Sequence, residues 1–255
     1  MNYYDYDKNL ILQCSNCGWS GKAKDGAFDY YDQYMTIECP TCLDDVTSLL
    51  IVVYPTPEET KLAAKQGNQE AKDNLPVALY IEQKLNLSEL AKKLVKERIK
   101  GFRKGTTDIL SSTHSIKVAK ILEGDECSWD VYIAGLLHDI VEDGDTSLKE
   151  LEDFGFSKRT IELVDLCSHD KTIENNDARW VKMMARLSEV NDRDAWLIKL
   201  ADLLDNIRGC HTMPADRQKF MRQTKSPLLL ALTKEIFGYS IVWNTLQSES
   251  GNATD

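Results

Sequence analysis

Two groups of residues in this sequence have the types and spacing for chemistry. Cys14 and Cys17 form one C-x2-C pair, and Cys39 and Cys42 form a second after a gap of 21 residues. Two thiolates on each of two tight turns close a tetrahedral zinc shell, and a shell of four sulfurs leaves no open position for water, so zinc there is structural. Gly18 supplies the turn conformation such a knuckle needs. The second group lies further on. All four histidines fall between positions 114 and 211, and His138-Asp139 stands in AGLLHDIVEDGD with Glu142-Asp143 following one turn later. On a helix this spacing sets His138 beside Glu142 and Asp139 beside Asp143. The apolar run before the pair brings it out of a core wall into a cleft. His114 opens the amphipathic THSIKVAKIL. In LIKLADLLDNIR, Trp196, Leu197, Leu200, Leu204 and Ile207 form an apolar stripe, leaving Lys199, Asp202 and Asn206 on a shared face.

Charge narrows the function classes. The 255 residues carry 31 Lys and Arg against 41 Asp and Glu, a net charge of −10, which argues against a polyphosphate nucleic acid as partner. The balance is uneven. Residues 88–104 are net +5 and residues 125–155 net −9, a pairing that suits a small anion bound next to a divalent cation, although solvated helix faces are the commoner origin of such runs. No run without a polar side chain exceeds seven residues, the length of Val131–Leu137, whereas a spanning helix needs roughly 20. The opening MNYYDYDKNLILQ has no basic region, apolar core or small-residue cleavage site, so export is not expected. An odd cysteine count in that setting predicts reduced, cytoplasmic thiols, with Cys127, Cys167 and Cys210 as inert core residues.

The elements that must position these groups follow from pattern. A strand near Met35–Glu38 and a β-branched run over Val46–Tyr54, ended by Pro55 and Pro57, predict a small β zinc ribbon over residues 1–55. Thr56-Pro57-Glu58-Glu59 is a capping box that opens a helix of about 14 residues, read as a connector over 56–87, within which 73–87 carries no clear pattern. Apolar residues at helical spacing predict helices from Ser88 onward, at about 113–123, 129–142, 147–154, 157–168, 177–190, 194–209 and 216–245, the last interrupted at Pro227. The fold class is therefore mainly α: an all-helical domain over 88–247 behind a small β module, with a disordered tail over 248–255.

The set His114, His138-Asp139 and Asp202 resembles the metal-ligand signature of the HD phosphohydrolase superfamily. HDIVED followed about 60 residues later by KLADLLDN resembles the hydrolase domain of RelA/SpoT-type alarmone enzymes, and more closely the small alarmone hydrolases. ELVDLCSHDKT and Arg103-Lys104 are similar to further stretches of those proteins, and the resemblance covers about residues 88–210. It implies that His114, His138, Asp139 and Asp202 hold the catalytic metal and that Glu142 and Asp143 act on the water and the leaving group. It also implies that Asn206 contacts the nucleotide and that Arg103 and Lys104 pack on base or phosphate. Lys171 and Lys199 are further phosphate-binding candidates, whereas His169 and His211 read as ordinary polar residues. Leu203 stands where the family usually has Arg or Lys, and Asp205 where it often has His or Tyr.

A shell of two imidazoles and two carboxylates with room for water suits Mn2+, with Fe2+, Zn2+ or Mg2+ as alternatives. The implied reaction is removal of the 3′-diphosphate from a guanosine alarmone. Two alternatives stay open. One is another nucleotide substrate, such as an adenosine alarmone, a deoxynucleotide or a phosphorylated nicotinamide cofactor; the other is a zinc-ribbon interaction module on a non-catalytic scaffold. Residues 14–42 are net −2, which leaves the ribbon for a protein partner, for self-association or for stability, and not for nucleic acid.

Overall fold

The computed structural model describes residues 1–42 and 47–251, and the chain divides into two compact units, Met1–Lys84 and Leu85–Asp255. In the first, β1 (Ile11–Gln13) and β2 (Ser20–Lys22) pair antiparallel with Leu12 opposite Gly21. A second antiparallel sheet has the order β3 (Ala27–Tyr30), β4 (Tyr34–Glu38), β5 (Ser48–Val53). Period-two alternation turns Met35 and Ile37 of β4 inward, where they meet Leu12, Ala23 and Val52 in a small apolar core. The expected β4 is found one residue longer. Val46, expected to open the last strand, lies outside the described residues, as do residues 252–255 of the expected tail.

The capping box forms as its residues dictate. Glu59 N–H donates to Thr56 Oγ1 at 3.2 Å, and Thr56 N–H donates to Glu59 Oε2 at 2.8 Å. The helix it opens, α1 (Pro57–Lys65), has nine residues and not 14; Gly67, at φ +97°, ends it. The stretch without pattern then proves helical. A 30-residue α2 (Gln69–Arg98) runs through 73–87 with Pro76 inside it. Over residues 69–86 its apolar residues are spread around the helix, and Val77, Leu79, Tyr80 and Leu85 are exposed, so no stripe marks that part in the sequence; from Ser88 on, where a helix is expected, Ala91, Leu94 and Val95 are buried.

In the second unit the expected helices are found, with two boundaries that matter. The order is α3 (Ser112–Glu123), α4 (Trp129–Leu137), α5 (Ile140–Asp143), α6 (Leu148–Asp153), α7 (Lys158–Cys167), α8 (Asn176–Val190) and α9 (Arg193–Gly209). There follow α10 (Ala215–Phe220), a π turn (Met221–Lys225), α11 (Ser226–Phe237) and α12 (Ile241–Gly251). The helix expected over 129–142 is two helices, broken at His138 and Asp139. The chain does not break at Pro227, whose missing N–H falls in the first turn of α11; it breaks at residues 238–240. Ser248–Gly251, expected in a disordered tail, are helical.

At the centre lies α9, buried from Ala195 to Asp205. Its predicted stripe, Trp196, Leu197, Leu200, Leu204 and Ile207, joins Val118, Leu122, Leu136, Leu163 and Trp243 from α3, α4, α7 and α12 in one core. Asp192 caps the helix, accepting from the N–H groups of Asp194 and Ala195 at 3.0 Å each. A helix this enclosed presents its polar residues only to partners, which is how Lys199, Asp202 and Asp205 come to be buried.

Candidate metal centre and substrate cleft

Three elements bring the predicted ligands together. His114 stands in the first turn of α3, Asp202 in the middle of α9, and His138-Asp139 in the break between α4 and α5. The backbone at the break is well defined. Asp139 sits at φ −99°, ψ −2°, so the chain turns there, and its carbonyl accepts from the N–H groups of Glu142 and Asp143 at 3.1 and 2.8 Å. The donor atoms of His114, His138 and Asp139 lie within 4.8 Å of one another. Asp202 Oδ1 lies 3.0 Å from His114 Nε2 and 3.9 Å from His138 Nε2.

His138 decides what the cluster fits. Its Nδ1–H donates to the Gly135 carbonyl at 2.8 Å, which leaves the lone pair on Nε2. That nitrogen is wholly buried and has no hydrogen-bond partner, although Asp139 Oδ1 is 3.2 Å away. A buried, unpartnered imidazole nitrogen facing two carboxylates and a second imidazole is the donor arrangement of a divalent-cation site.

The charges of the cluster compensate one another. Burial disfavours a charged His114, yet the carboxylates of Asp202 and Asp205 outweigh it and raise the imidazole to about 9. Burial likewise opposes ionisation of Asp202, but Lys199 and His114 hold its carboxyl well below the usual range. Lys199 donates to Asp202 Oδ2, and Asn206 Nδ2 donates to Oδ1 at 2.6 Å. Lys199 lines the cleft with its ammonium already paired to Asp202.

Glu142 does not point along a row shared with His138, because the helix is broken between them. Its two oxygens accept from His169, Oε1 from the backbone N–H and Oε2 from Nδ1, each at 2.7 Å. His169 is thus no ordinary polar residue: it clamps Glu142, and its own Nε2 is buried without a partner. Asp143 is exposed at the cleft, where partial desolvation and the charges of Asp139 and Glu142 raise its carboxyl above the usual range. His211 stays peripheral, exposed, with Nδ1 against the Arg208 carbonyl.

His114, Asp139, Asp202, Glu142, Asp143 and His169 share a cleft of about 650 Å³ with Arg103, Lys104 and Asn206. Gly105 holds the loop that carries Arg103 and Lys104. At φ +81°, a Cβ there would lie 2.0 Å from the Thr212 carbonyl oxygen, while Thr212 Oγ1–H donates to the Lys104 carbonyl at 3.0 Å. Arg103 faces inward, its guanidinium 2.9 Å from Asp205 Oδ2 and 3.3 Å from Asn206 Oδ1. Lys171 is exposed and does not line the cleft. Sequence reasoning missed Lys225, which does. It lies 5.1 Å from the Trp180 ring and 5.6 Å from Phe220, with no ion pair among the described residues, and burial lowers its ammonium to about 8.

In the first unit the four thiols also converge, all sulfurs within 4.8 Å of one another. Gly18 adopts φ +76° between them. The Thr41 hydroxyl, 2.9 Å from Cys17 Sγ, lowers that thiol, whereas burial pushes the Cys42 thiol up to about 12.

Comparison with known proteins agrees with this geometry. The family described as HD domain matches residues 89–226, more than half of the sequence, and the chain belongs to it. It is 37% identical over 97 residues to guanosine-3′,5′-bis(diphosphate) 3′-pyrophosphohydrolase MESH1 of Drosophila melanogaster, covering 37% of this chain and 52% of the relative. It is 31% identical over 119 residues to the bifunctional (p)ppGpp synthase/hydrolase SpoT of Escherichia coli, covering 44% of this chain and 16% of that one. The match thus spans about half the length of the first relative and far less of the second. A solved structure of a metazoan SpoT orthologue that hydrolyses ppGpp superposes with a TM-score of 0.51 at 23% identity, over 65% of this chain and 92% of that one. This shows a shared fold. No helix among the described residues is long and apolar enough to cross a membrane.

Proposed function

We propose that this chain is a metal-dependent phosphohydrolase that removes the 3′-diphosphate from a guanosine alarmone, converting ppGpp and water to GDP and pyrophosphate. The observation that carries the chemistry is the unpartnered Nε2 of His138, buried among His114, Asp139 and Asp202. The activities named for the MESH1 and SpoT relatives support the substrate. Held by these four residues, a divalent cation, Mn2+ in this reading, supplies Lewis-acid polarisation of the phosphoryl group and a lowered pKa for water. Glu142, fixed by His169, orients the attacking water and takes its proton; a bond forms from the water oxygen to phosphorus as the bond to the 3′-oxygen breaks. Asp143, with its raised carboxyl, returns a proton to that oxygen. Lys104 and Lys225 balance phosphate charge, and Asn206 lies on the nucleoside side.

In the same reading the four cysteines bind one structural Zn2+ that stabilises a ribbon within residues 1–55, the chemistry lies within 88–247, and the protein works in the reducing cytoplasm. The ribbon serves stability or a protein contact. The test is to incubate Mn2+-loaded protein with ppGpp, an adenosine alarmone, deoxynucleotides and NADPH, and to identify products by chromatography. Conversion of ppGpp to GDP and pyrophosphate in preference to the others is expected. Turnover of another nucleotide with ppGpp untouched would move the substrate, and turnover of none would overturn the reading.

A further inference from the structure

Asp205 stands outside the predicted ligand set, yet it touches it. Its Oδ2 lies 2.7 Å from His114 Nδ1 and 2.9 Å from the Arg103 guanidinium. The same guanidinium donates to Asn206 Oδ1 at 3.3 Å, Asn206 Nδ2 donates to Asp202 Oδ1 at 2.6 Å, and Asp202 Oδ1 lies 3.0 Å from His114 Nε2. The contacts close a ring: Arg103, Asp205, His114, Asp202, Asn206 and back to Arg103. Two of its members are metal-ligand candidates, and three are not. Every side chain in the ring is largely shielded; those of Asp205 and His114 are 6% and 8% exposed and that of Arg103 15%.

We propose that Asp205 is a positioning residue for the metal centre: it accepts the Nδ1 proton of His114, fixes the tautomer that turns Nε2 to the cation, and ties that ligand to Arg103. A carboxylate behind a ligating imidazole sets ring orientation and raises ligand basicity, and its loss costs about 10–100-fold in metal affinity. The ring gives Arg103 a task besides any contact with nucleotide. Both arms of its fork are spent on Asp205 and Asn206, so it braces His114 through one and Asp202 through the other. Metal affinity therefore depends on two residues that are not ligands.

The inference rests on reading His114 as a metal ligand, and the test separates the two. Mn2+ is titrated by calorimetry into the metal-free full chain and its variants, without nucleotide, with folding followed by circular dichroism. Asp205→Asn is expected to bind Mn2+ about 10–100-fold more weakly than wild type, and Asp205→Glu, which keeps a carboxylate, to stand closer to wild type. Arg103→Gln is expected to weaken Mn2+ binding as well, an effect that a purely nucleotide-binding arginine would not produce. Wild-type affinity in a folded Asp205→Asn would overturn the positioning role; unchanged affinity in Arg103→Gln would remove Arg103 from the ring. A wild-type chain that binds no divalent cation at this site would overturn the metal reading itself. Should Asp205→Asn not fold, 15N NMR of the wild-type chain loaded with Zn2+ decides without a variant. His114 protonated at Nδ1 supports the inference, and protonation at Nε2 overturns it.

Discussion

Glu142 and Asp202 divide the work of the site, and their surroundings say how. Asp202 is enclosed by Lys199, Asn206 and His114, so Asp202→Ala should abolish both metal retention and turnover, measured by elemental analysis and product formation. Glu142 is held by His169 and not by a ligand. Glu142→Gln should keep its metal and lose turnover by roughly 10²–10⁴, the usual worth of a positioned acid–base group; a Glu142→Gln protein that loses metal would place this carboxylate in the coordination shell. Lys225 sets a pH dependence. Its lowered ammonium, about 8, is cationic below that pH and neutral above it, so phosphate binding should weaken as pH rises through 8. The expected signature is a KM that climbs above pH 8 in wild type, a smaller climb in Lys225→Arg, and a flat, elevated KM in Lys225→Met. The contrast between Lys199 and Lys225 shows what sequence could not convey. Both are lysines on helical stretches that line the cleft, and only the packing reveals that one is paired with Asp202 while the other lies between two rings.

At the scale of elements, the stripe of α9 and the two C-x2-C pairs were legible because each is local: 3.6-residue periodicity in one, fixed spacing in the other. The break at His138-Asp139 was not. The residues around it suit one continuous helix, and no residue type at the break announces the turn at Asp139. That break is why Glu142 meets His169, some 27 residues on, in place of His138 one turn back. Long-range partners of this kind leave no trace in spacing, and for the same reason Asp205 could be noted only as a departure from the family pattern. The loop holding Arg103 and Lys104 depends on Gly105. Gly105→Ala forces a side chain into a positive-φ position against the Thr212 carbonyl and should destabilise the protein by roughly 1–3 kcal/mol, read as a lowered midpoint in urea, and raise KM. In the β module, Cys39→Ser should remove zinc and unfold that module locally, whereas a zinc-free wild-type protein would contradict the structural site.

For the whole molecule, the helical fold class and the order of the elements were readable from residue 88 onward, and the first two thirds of α2 were not, because the apolar residues there follow no single face. Each residue lining the cleft lies at or beyond Ile99, so a fragment beginning near Asn74 should retain divalent-cation binding when metal is supplied. Loss of that binding in a folded fragment would show that the first unit contributes to the site. The central claim, that this HD centre directs water onto the 3′-diphosphate, is tested most directly by running the Mn2+-loaded reaction with ppGpp in 18O-labelled water and weighing the products. Attack at phosphorus predicts one 18O in pyrophosphate and none in GDP. Label in the nucleoside, or release of orthophosphate with no pyrophosphate, would contradict it.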